Sequence, residues 1–573
     1  MQCSIDMKTS FIRSLREKLR RTTGKEQKKV IVLAVMMTAI ALLPTIPNYN
    51  FSEPVMFQNH DGIAHLVRLW HIQNAVGSFL LLPNWIMSLT GGLGSGVFLF
   101  NWFLPYYVAL LPRLVGASLS DSIKIVFLLS NLISAATIYL LAKQLTNRHA
   151  ALIAIPLYLL NPYRLNVIFT RGALGEAFAI ALLPLVLYLS NSRGSKNNIL
   201  FLVSLVVLIF SHNAAALITY GVLLFWVVVF VAKEIKVEKL MLMIIALGIT
   251  VFFWLPAIVE KGQIHFEVAE TWYADQFPSL RALLDSPWQY GPPQPNRQQL
   301  SMSFQLGKVH WLLGAAGLLF LFVGRKLKTE RKRKYLFLAS LFSVSILLQL
   351  KLSKPLWDNL PLLRLLIFPW RLQMVSILVF SLLPALFFPN KKTAVSVAVL
   401  VTLVLLAANR NHFPSERGDF ASDETIQQKV HAGDSAGEFL PKDANLQEYY
   451  KMSTQDDRPE SFVQSNRNIE GTETRMKGNN VSIALNILDK TSVVLNHYYF
   501  PGWKGWLDGI PVSVDGNLGK TNGRMNLLSP PGRHTLLLRF EKTPIRRYAA
   551  FTSVLTLMML IAWKAGWRKK GVH

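Results

Sequence analysis

Charged and imidazole side chains recur at helical spacing in NHDGIAHLVRLWHIQNAV, residues 59–76. If a helix begins at Asp61, then Asp61, His65 and Arg68 fall at i, i+4 and i+7, which puts a carboxylate, an imidazole and a guanidinium on one helix face. A carboxylate at that position is a candidate general base for a substrate that emerges from a membrane. The alternative is that Asp61 only caps the helix and Arg68 extends toward the interface.

Arginines also stand beside apolar runs in two other stretches. They are Arg164 and Arg171, followed by Glu176, in NPYRLNVIFTRGALGE, and Arg364 and Arg371 in KLSKPLWDNLPLLRLLIFPWRL. Charges at a membrane boundary that the topology does not require indicate a functional site. Because a guanidinium pairs with two oxygens of a phosphate, these arginines predict binding of an anionic lipid head group, with interfacial snorkelling as the alternative.

His212, in FSHNAA between two apolar runs, is a further candidate for the same site. A polar pair of His212 and Asn213 that packs two helices explains it equally well. The chain has no phosphate-binding glycine loop, no metal-type pair of histidines and no nucleophile elbow. Its single cysteine, Cys3, excludes an internal disulfide and a cysteine metal cage. We therefore predict no metal and no cofactor.

The elements that must position these residues are membrane helices. Of 573 residues, 51% are hydrophobic and only 16% are charged, and the mean hydropathy is +0.32, which excludes an ordinary soluble protein. The net charge of +27 does not indicate nucleic acid, because residues 412–545 hold 15 of the 60 Lys and Arg and 17 of the 33 acidic residues. The other basic residues cluster at the ends of apolar runs, where they fix topology and contact anionic lipids.

Basic loops predict which ends of the apolar runs are cytoplasmic. Nine Lys and Arg precede Val30, so residues 1–29 are predicted to be a basic cytoplasmic segment, as are the loop Gly324–Lys334 and the C-terminal tail. Both termini of the chain would then be cytoplasmic. This placement gives about twelve spans, near residues 30–47, 122–142, 149–163, 176–190, 198–211, 214–232, 240–259, 309–324, 335–351, 371–389, 393–409 and 547–564.

Residues 97–114 are apolar enough to span, yet counting them as a span would invert every later basic loop. Two prolines and the preceding GGLGSG favour a helix that lies in the outer interface or re-enters from it. The segment belongs to a large first outer loop, residues 48–121, of a multi-span domain that covers residues 30–411.

A polar, turn-rich region, residues 412–545, is predicted to be an extracytoplasmic β-rich domain. Alternating apolar residues in VSIALNIL, SVVLNHYYF, GIPVSV and HTLLLRF predict strands separated by turns. Residues 546–573 then form a final membrane helix and a basic cytoplasmic tail. The predicted fold class is a polytopic α-helical membrane protein of about 12–13 helices, with a small β-rich domain before the last one.

Four features together resemble a family of bacterial membrane proteins known as 6-pyruvoyl-tetrahydropterin synthase-related. They are the outer-loop Asp61, RGALGE at residues 171–176, FPWR at residues 368–371 and HYYFPGWKGWLDG at residues 497–509. The resemblance covers most of the chain. The family is similar in architecture to the GT-C glycosyltransferases, which use polyprenyl-phosphate-linked sugars. A soluble pterin synthase would need a zinc-binding set of histidines, which this sequence lacks.

The resemblance implies catalytic roles for Asp61, as base or acceptor-orienting group, and for Glu176, as an assisting acid. The residues expected to bind substrate are His65, Arg68, Arg164, Arg171, His212, Arg364 and Arg371. Gly62 stands where many GT-C enzymes have a second acid, which disfavours a metal-dependent mechanism. The implied reaction moves a sugar from a polyprenyl-phosphate donor to an envelope polysaccharide, lipid or protein on the outer face. Rival classes are a transporter or flippase of lipid-linked intermediates and a non-enzymatic envelope assembly factor.

Overall fold

The computed structural model describes most of the chain. The described residues are 27–51, 53, 55–77, 82–295, 301–323, 329–387, 391–413, 418, 421–429, 437–455, 459, 461–516 and 521–569. Cys3, most of the predicted basic segment 1–29, the first part of the loop Gly324–Lys334 and the end of the tail lie outside these ranges.

Helices dominate the described ranges. In chain order they are α1 Gln27–Tyr49, α2 Gly62–Gly77, α3 Val97–Phe100, α4 Leu104–Arg113, α5 Leu119–Leu145, α6 Ala154–Leu159, α7 Pro162–Phe169, α8 Leu174–Ser190, α9 Ser195–Ser211, α10 Asn213–Phe230, α11 Lys233–Ile249, α12 Val251–Glu260, α13 Phe266–Glu270, α14 Leu280–Leu284, α15 Lys308–Val323, α16 Thr329–Gln349, α17 Lys354–Asn359, α18 Pro361–Arg364, α19 Gln373–Ala385, α20 Lys391–Ala408, α21 Asp423–Lys429, α22 Leu446–Gln455 and α23 Pro544–Lys569.

Every predicted span coincides with one of these apolar helices or with a bent pair of them. Within the described ranges, four helices are long and apolar enough to cross a membrane: α1, α5, α10 and α23. The number rises to seven if each of three bent pairs counts as one span. One such bend, of 65°, separates α11 from α12. The polytopic helical architecture is therefore as predicted, while several spans are shorter or more broken than their hydropathy suggests.

The apolar helix α8 lies at the centre of the membrane part, because it is hydrophobic on all sides and nearly all of its residues are buried. Pro184 inside it has no N–H to donate to the carbonyl of Ile180. The Tyr158 hydroxyl donates to that carbonyl at 2.7 Å, and Thr137 Oγ1 donates to the next one, of Ala181, at 2.9 Å. Neighbouring helices thus satisfy the backbone carbonyl that the proline leaves open, in the middle of α8.

The ambiguous segment 97–114 is not a continuous helix. It comprises α3, of 4 residues, and α4, of 10 residues, separated by Asn101–Phe103. At about 1.5 Å rise per residue, neither is long enough to cross a bilayer core of about 30 Å. Buried aromatic residues on these helices, including Phe98 and Tyr106, pack inward.

The β-rich region precedes α23, as predicted. Its strands are β1 Ile469–Lys477, β2 Asn480–Ile487, β3 Thr491–Tyr498, β4 Trp503–Leu507, β5 Ile510–Val512, β6 Arg524–Ser529 and β7 Gly532–Phe540. One sheet has the antiparallel order β1-β2-β7-β4-β5, and β3 pairs with β6 in a second sheet. We call these strands the β domain. The four predicted strands correspond to β2, β3, β5 and β7; strands β1, β4 and β6 were not predicted.

The connection between α2 and α3 completes the core of the β domain. Trp85 Nε1 donates to His497 Nε2 at 2.7 Å, and His497 Nδ1 lies 3.0 Å from the Gly92 carbonyl. Tyr498 N donates to the Leu93 carbonyl at 2.7 Å. Gly94 has a φ of +88°, and a Cβ there would stand 2.5 Å from the His497 ring, so the close approach requires glycine. Both nitrogens of His497 are therefore engaged, and the loop is fastened to β3.

Burial lowers the pKa of His497 to about 4, whereas an unfolded chain has a histidine pKa of about 6.5. The unfolded state thus binds the proton more readily, and stability is lost as the pH falls below about 6.5 toward 4. We expect the melting temperature of wild type to fall between pH 7 and pH 4.5, and that of His497→Gln to fall less. The difference between the two proteins should correspond to about 2 kcal/mol in the free energy of unfolding. Thermal denaturation of the purified protein across this range measures the difference.

His534 provides a control of opposite sign, because the adjacent Asp508 carboxylate raises its pKa. Its contribution is present below about pH 6.5 and is lost as the pH rises. His534→Gln should therefore melt at a lower temperature than wild type at low pH, and this difference should disappear as the pH rises. An identical pH profile for wild type and His497→Gln would contradict the role given to His497.

Candidate functional site

A cavity of about 1080 Å³ brings together side chains from the start of α2, the turn between α7 and α8, and the FPWR segment. This volume is at the upper end of the range typical of small-molecule sites. Of the residues predicted from the sequence, those that line it are Asp61, His65, Arg68, Arg171, His212 and Arg371. The cavity therefore unites three stretches that are far apart along the chain.

Two backbone hydrogen bonds place Asp61 against the turn that carries Arg171. His60 N donates to the Thr170 carbonyl and Asp61 N to the Arg171 carbonyl, each at 3.0 Å. Gly172, with a φ of +65°, permits this approach, since a Cβ there would stand 2.2 Å from Asn59 Oδ1. The Asp61 carbonyl accepts a hydrogen bond from His65 N at 3.0 Å, so Asp61 is the residue that precedes the first turn of α2, which begins at Gly62. Within the described ranges, its side-chain carboxylate makes no hydrogen bond or ion pair, and it lines the cavity half-buried beside Arg171, whose pKa its charge helps to raise.

His65, one turn further along α2, is held between two partners. Its Nδ1 lies 2.8 Å from the Tyr106 hydroxyl, and its Nε2 lies 3.5 Å from the backbone N of Leu174. Burial lowers the pKa of His65 to about 4, despite the opposing effect of the Asp61 charge. The imidazole is therefore neutral at pH 7, and it positions α2 against α4 and α8 without adding charge to the cavity.

Glu176 lies behind the cavity wall instead of lining it, because its carboxylate is committed to other side chains. Arg171 Nη1 donates to Glu176 Oε2 at 2.8 Å, and Arg371 Nε lies 3.4 Å from the same oxygen. The Tyr163 hydroxyl donates to Oε1. The carboxylate is 1% exposed. One buried acid thus holds two arginines side by side and neutralises one of their two charges.

Aromatic rings form a wall behind the same two arginines. The guanidinium of Arg171 lies 4.6 Å from the ring of Trp370, and that of Arg371 lies 4.8 Å from Phe368. Phe368 is stacked on Trp370 with ring centroids 4.7 Å apart, and Trp272 is stacked on Phe368 at 5.8 Å. Such cation–π contacts orient the two guanidinium planes and hold them against the aromatic rings.

Backbone strain occurs at the start of the FPWR segment. Ile367, a β-branched residue that lines the cavity, has a φ of +66°. A β-branched side chain rarely adopts the left-handed region, and such strain concentrates at functional sites. Ile367 N donates to Arg364 O at 2.9 Å, and Arg371 Nη1 donates to Leu366 O at 2.7 Å. The strained kink directs both Phe368 and Arg371 toward the cavity.

The cavity has an apolar end formed by α10, α11 and α12. Its lining there includes Leu217, Leu247, Phe253, Trp254 and Ile258. Leu247 is 37% exposed and Ile258 is 48% exposed on the outer surface of their helices. The apolar end therefore reaches an exposed apolar surface of α11 and α12.

Residues 100–412 match the sequence profile of a family described as "6-pyruvoyl-tetrahydropterin synthase related domain; membrane protein". The chain belongs to this family. The membership, which the sequence motifs predicted, makes it a membrane protein. Among proteins with curated descriptions, none is significantly similar to the chain.

Some solved structures are remotely similar to this chain. One is the mycobacterial arabinofuranosyltransferase AftD, with 16% identity, a TM-score of 0.43, and an alignment that covers 67% of this chain and 26% of that one. Another is the archaeal oligosaccharyltransferase AglB from Archaeoglobus fulgidus, solved with an inhibitory peptide and a dolichol-phosphate, with 12% identity, a TM-score of 0.43, and coverage of 71% and 56%. The chain thus spans about a quarter and about half of their lengths.

Three predicted site residues do not line the cavity, and Glu176 is one of them. Arg164 is fully buried in α7, where its Nε donates to Asn131 Oδ1 at 3.1 Å. The helix ends at Phe169, so Arg164 and Arg171 do not share a face. Arg364 lies 3.8 Å from Glu270 and is one-third exposed. His212, which does line the cavity, also accepts a hydrogen bond from Ala215 N at 3.1 Å and so caps α10.

Other cavity residues were not predicted from the sequence. Trp272 and Tyr290 come from the connection between α12 and α15, and Glu438 and Phe439 come from the segment that leads to the β domain. Tyr290 O lies 3.2 Å from His60 Nε2. Trp272 begins a one-turn 3-10 helix, Trp272–Asp275, and the others stand in irregular segments, so no helical or strand periodicity in the sequence marks them. Among the described residues, no three His, Cys, Asp or Glu side chains form a group that could hold a metal ion.

Proposed function

We propose that this protein is a membrane glycosyltransferase that moves a sugar from a polyprenyl-phosphate donor to an envelope acceptor on the outer face of the bacterial inner membrane. The observation that carries the proposal is the shared cavity of Asp61, Arg171 and Arg371, in which the carboxylate makes no hydrogen bond or ion pair with the described residues. A free carboxylate beside two fixed guanidiniums suits proton abstraction next to an anionic leaving group.

The charges of the cavity match a donor with a phosphate group. Glu176 neutralises one of the charges of Arg171 and Arg371, which leaves a net positive charge at their common surface. Arg68 lines the same cavity. Both paired arginines are nearly buried, so little water competes with a phosphate for their N–H groups. Removal of one such preorganised donor typically costs a factor of about 100–1000 in rate.

The proposed reaction is a substitution at the anomeric carbon of the donor sugar. The bond between that carbon and the phosphate oxygen breaks, and a bond to the acceptor hydroxyl oxygen forms. The hydroxyl proton passes to the Asp61 carboxylate, and the electron pair of the broken bond stays on the polyprenyl phosphate, beside Arg171 and Arg371. His65 stays neutral and holds α2 in place.

The apolar end of the cavity would hold the polyprenyl chain. Trp254 and Ile258 of α12 line this end next to the lipid-facing surface. Anionic membrane lipids would contact the basic loops. The β domain, connected to the cavity through Glu438 and Phe439, would present the polysaccharide, lipid or protein acceptor.

Incubation of the purified protein with undecaprenyl phosphate-linked hexoses, labelled in the sugar, tests the proposal. We expect release of free undecaprenyl phosphate and transfer of label to a saccharide or lipid acceptor supplied from the envelope. Movement of intact donor across proteoliposomes without release would instead indicate a flippase. A protein that neither releases undecaprenyl phosphate nor moves the donor across the membrane, but binds envelope proteins normally, would be an assembly factor. That result would contradict the proposal.

A further inference from the structure

The stacked rings of Trp272, Phe368 and Trp370 run from the protein core to the cavity. Trp370 is fully buried, and its Nε1 donates to Gln276 Oε1 at 3.2 Å. Phe368 and Trp272 are half-buried and line the cavity. The three rings are nearly parallel, with interplanar angles of 12° and 13°. The cavity end of this stack is therefore a flat aromatic surface backed by a rigid core.

The position of Trp272 is fixed by the contacts of its neighbour in the chain, Tyr273. The hydroxyl of the next residue, Tyr273, donates to Asp358 Oδ1 at 2.6 Å. The Tyr273 ring stacks on buried Trp357, with centroids 5.8 Å apart. Because Tyr273 is anchored in this way, Trp272 is held toward the cavity before any ligand binds. Such preorganisation reduces the entropic cost of binding.

We infer that Trp272, backed by Phe368, forms a stacking subsite for the sugar ring that is attached to the donor phosphate. This inference rests on the proposed function and adds the place of the sugar. Arg371 lies over Phe368, so the aromatic surface is next to the arginines that would hold the phosphate. In a lipid-linked sugar the ring is joined to the phosphate through one oxygen, so it must lie beside that group. The apolar C–H face of a sugar ring suits a flat aromatic surface, while its hydroxyls remain available to polar groups.

A polar group of the right kind lines the same cavity. Glu438, from the segment that leads to the β domain, presents a carboxylate that can accept hydrogen bonds from sugar hydroxyls. An aromatic surface that takes one face of a ring and a carboxylate that reads its hydroxyls would together discriminate between sugars.

Binding measurements with two soluble probes test the subsite separately from the phosphate site. The probes are farnesyl phosphate and a panel of farnesyl phosphoryl-hexoses and pentoses, added to the purified full-length protein. For wild type we expect at least one sugar to tighten binding relative to farnesyl phosphate. Trp272→Ala should lose about tenfold affinity for that glycosylated probe and none for farnesyl phosphate. Trp272→Phe, which keeps a ring, should retain most of the gain.

Trp254→Ala is the matched control, since Trp254 lines the apolar end of the same cavity. This variant should lower the affinity for both probes by the same factor. If Trp272→Ala does not fold, Phe368→Leu, which removes the ring under Trp272, should give a smaller but equally selective loss. A Trp272→Ala protein that keeps the full gain from the sugar would overturn the subsite. Failure of wild type to bind farnesyl phosphate would overturn the proposed function and, with it, this inference.

Discussion

Replacement of Asp61 by Asn is expected to lower the rate of sugar transfer by at least about a hundredfold, the range of a lost general base. The variant keeps the size and the backbone hydrogen bonds of the residue, and it breaks no ion pair among the described residues. The fold should therefore be unchanged. Because a negative charge is removed near Arg171, the affinity for farnesyl phosphate should be equal to or higher than that of wild type. Release of undecaprenyl phosphate and probe binding measure the two effects.

The control for this variant is Asp285→Asn. Asp285 is 67% exposed and pairs with Lys308 at 3.0 Å, outside the cavity. Its transfer rate should match wild type, as surface ion pairs contribute little. Full activity of Asp61→Asn would remove Asp61 from the mechanism, and loss of activity together with loss of probe binding would indicate a structural role instead.

Replacement of Glu176 by Gln is expected to have the largest effect on stability. Glu176 is the buried counter-ion of Arg171 and Arg371, and removal of one partner from a buried ion pair costs about 3–5 kcal/mol. The two guanidiniums would then face each other without an acid between them. A phosphate ligand would replace the lost charge, so the variant should be stabilised by farnesyl phosphate more strongly than wild type is. Melting temperatures with and without the ligand measure both effects.

Glu260→Gln separates this behaviour from the general cost of a broken buried pair. Glu260 Oε2 pairs with Arg546 Nη2 at 2.7 Å, and both side chains are buried, but neither lines the cavity. The variant should melt at a lower temperature and respond to farnesyl phosphate as wild type does. An equal ligand response in Glu176→Gln would show that the two arginines do not bind the phosphate.

Helical periodicity was sufficient to predict part of the site. Asp61, His65 and Arg68 share a face of one helix segment and line one cavity, because their spacing depends only on the local geometry of α2. Arg171 and Arg371 were identified by their position at membrane boundaries, which is also a local property. The positions of the apolar helices followed from hydropathy for the same reason, while the sidedness given by the basic loops stays a prediction.

The roles of Glu176 and Arg164 depend on contacts that the sequence does not display. The role of Glu176 as an assisting acid stays a prediction, and the structure adds its contact with Arg371, which lies 195 positions away. Arg164 was predicted to contact substrate, but α7 ends before Arg171, so the two arginines point to different places. Trp272 and Glu438 enter the cavity from short connecting segments, whose course is set by tertiary packing.

The attachment of Trp85 to His497 spans 412 positions of the chain, which has a consequence for biogenesis. Contacts between residues so distant in sequence form slowly, because a long loop must close before they stabilise anything. During synthesis, residues around Trp85 are made well before β3 exists to receive them. The β domain can complete its core only after its strands emerge, and until then an apolar, tryptophan-bearing loop stays exposed. Maturation of this protein therefore requires that the early loop be kept from aggregation until the last part of the chain has been delivered.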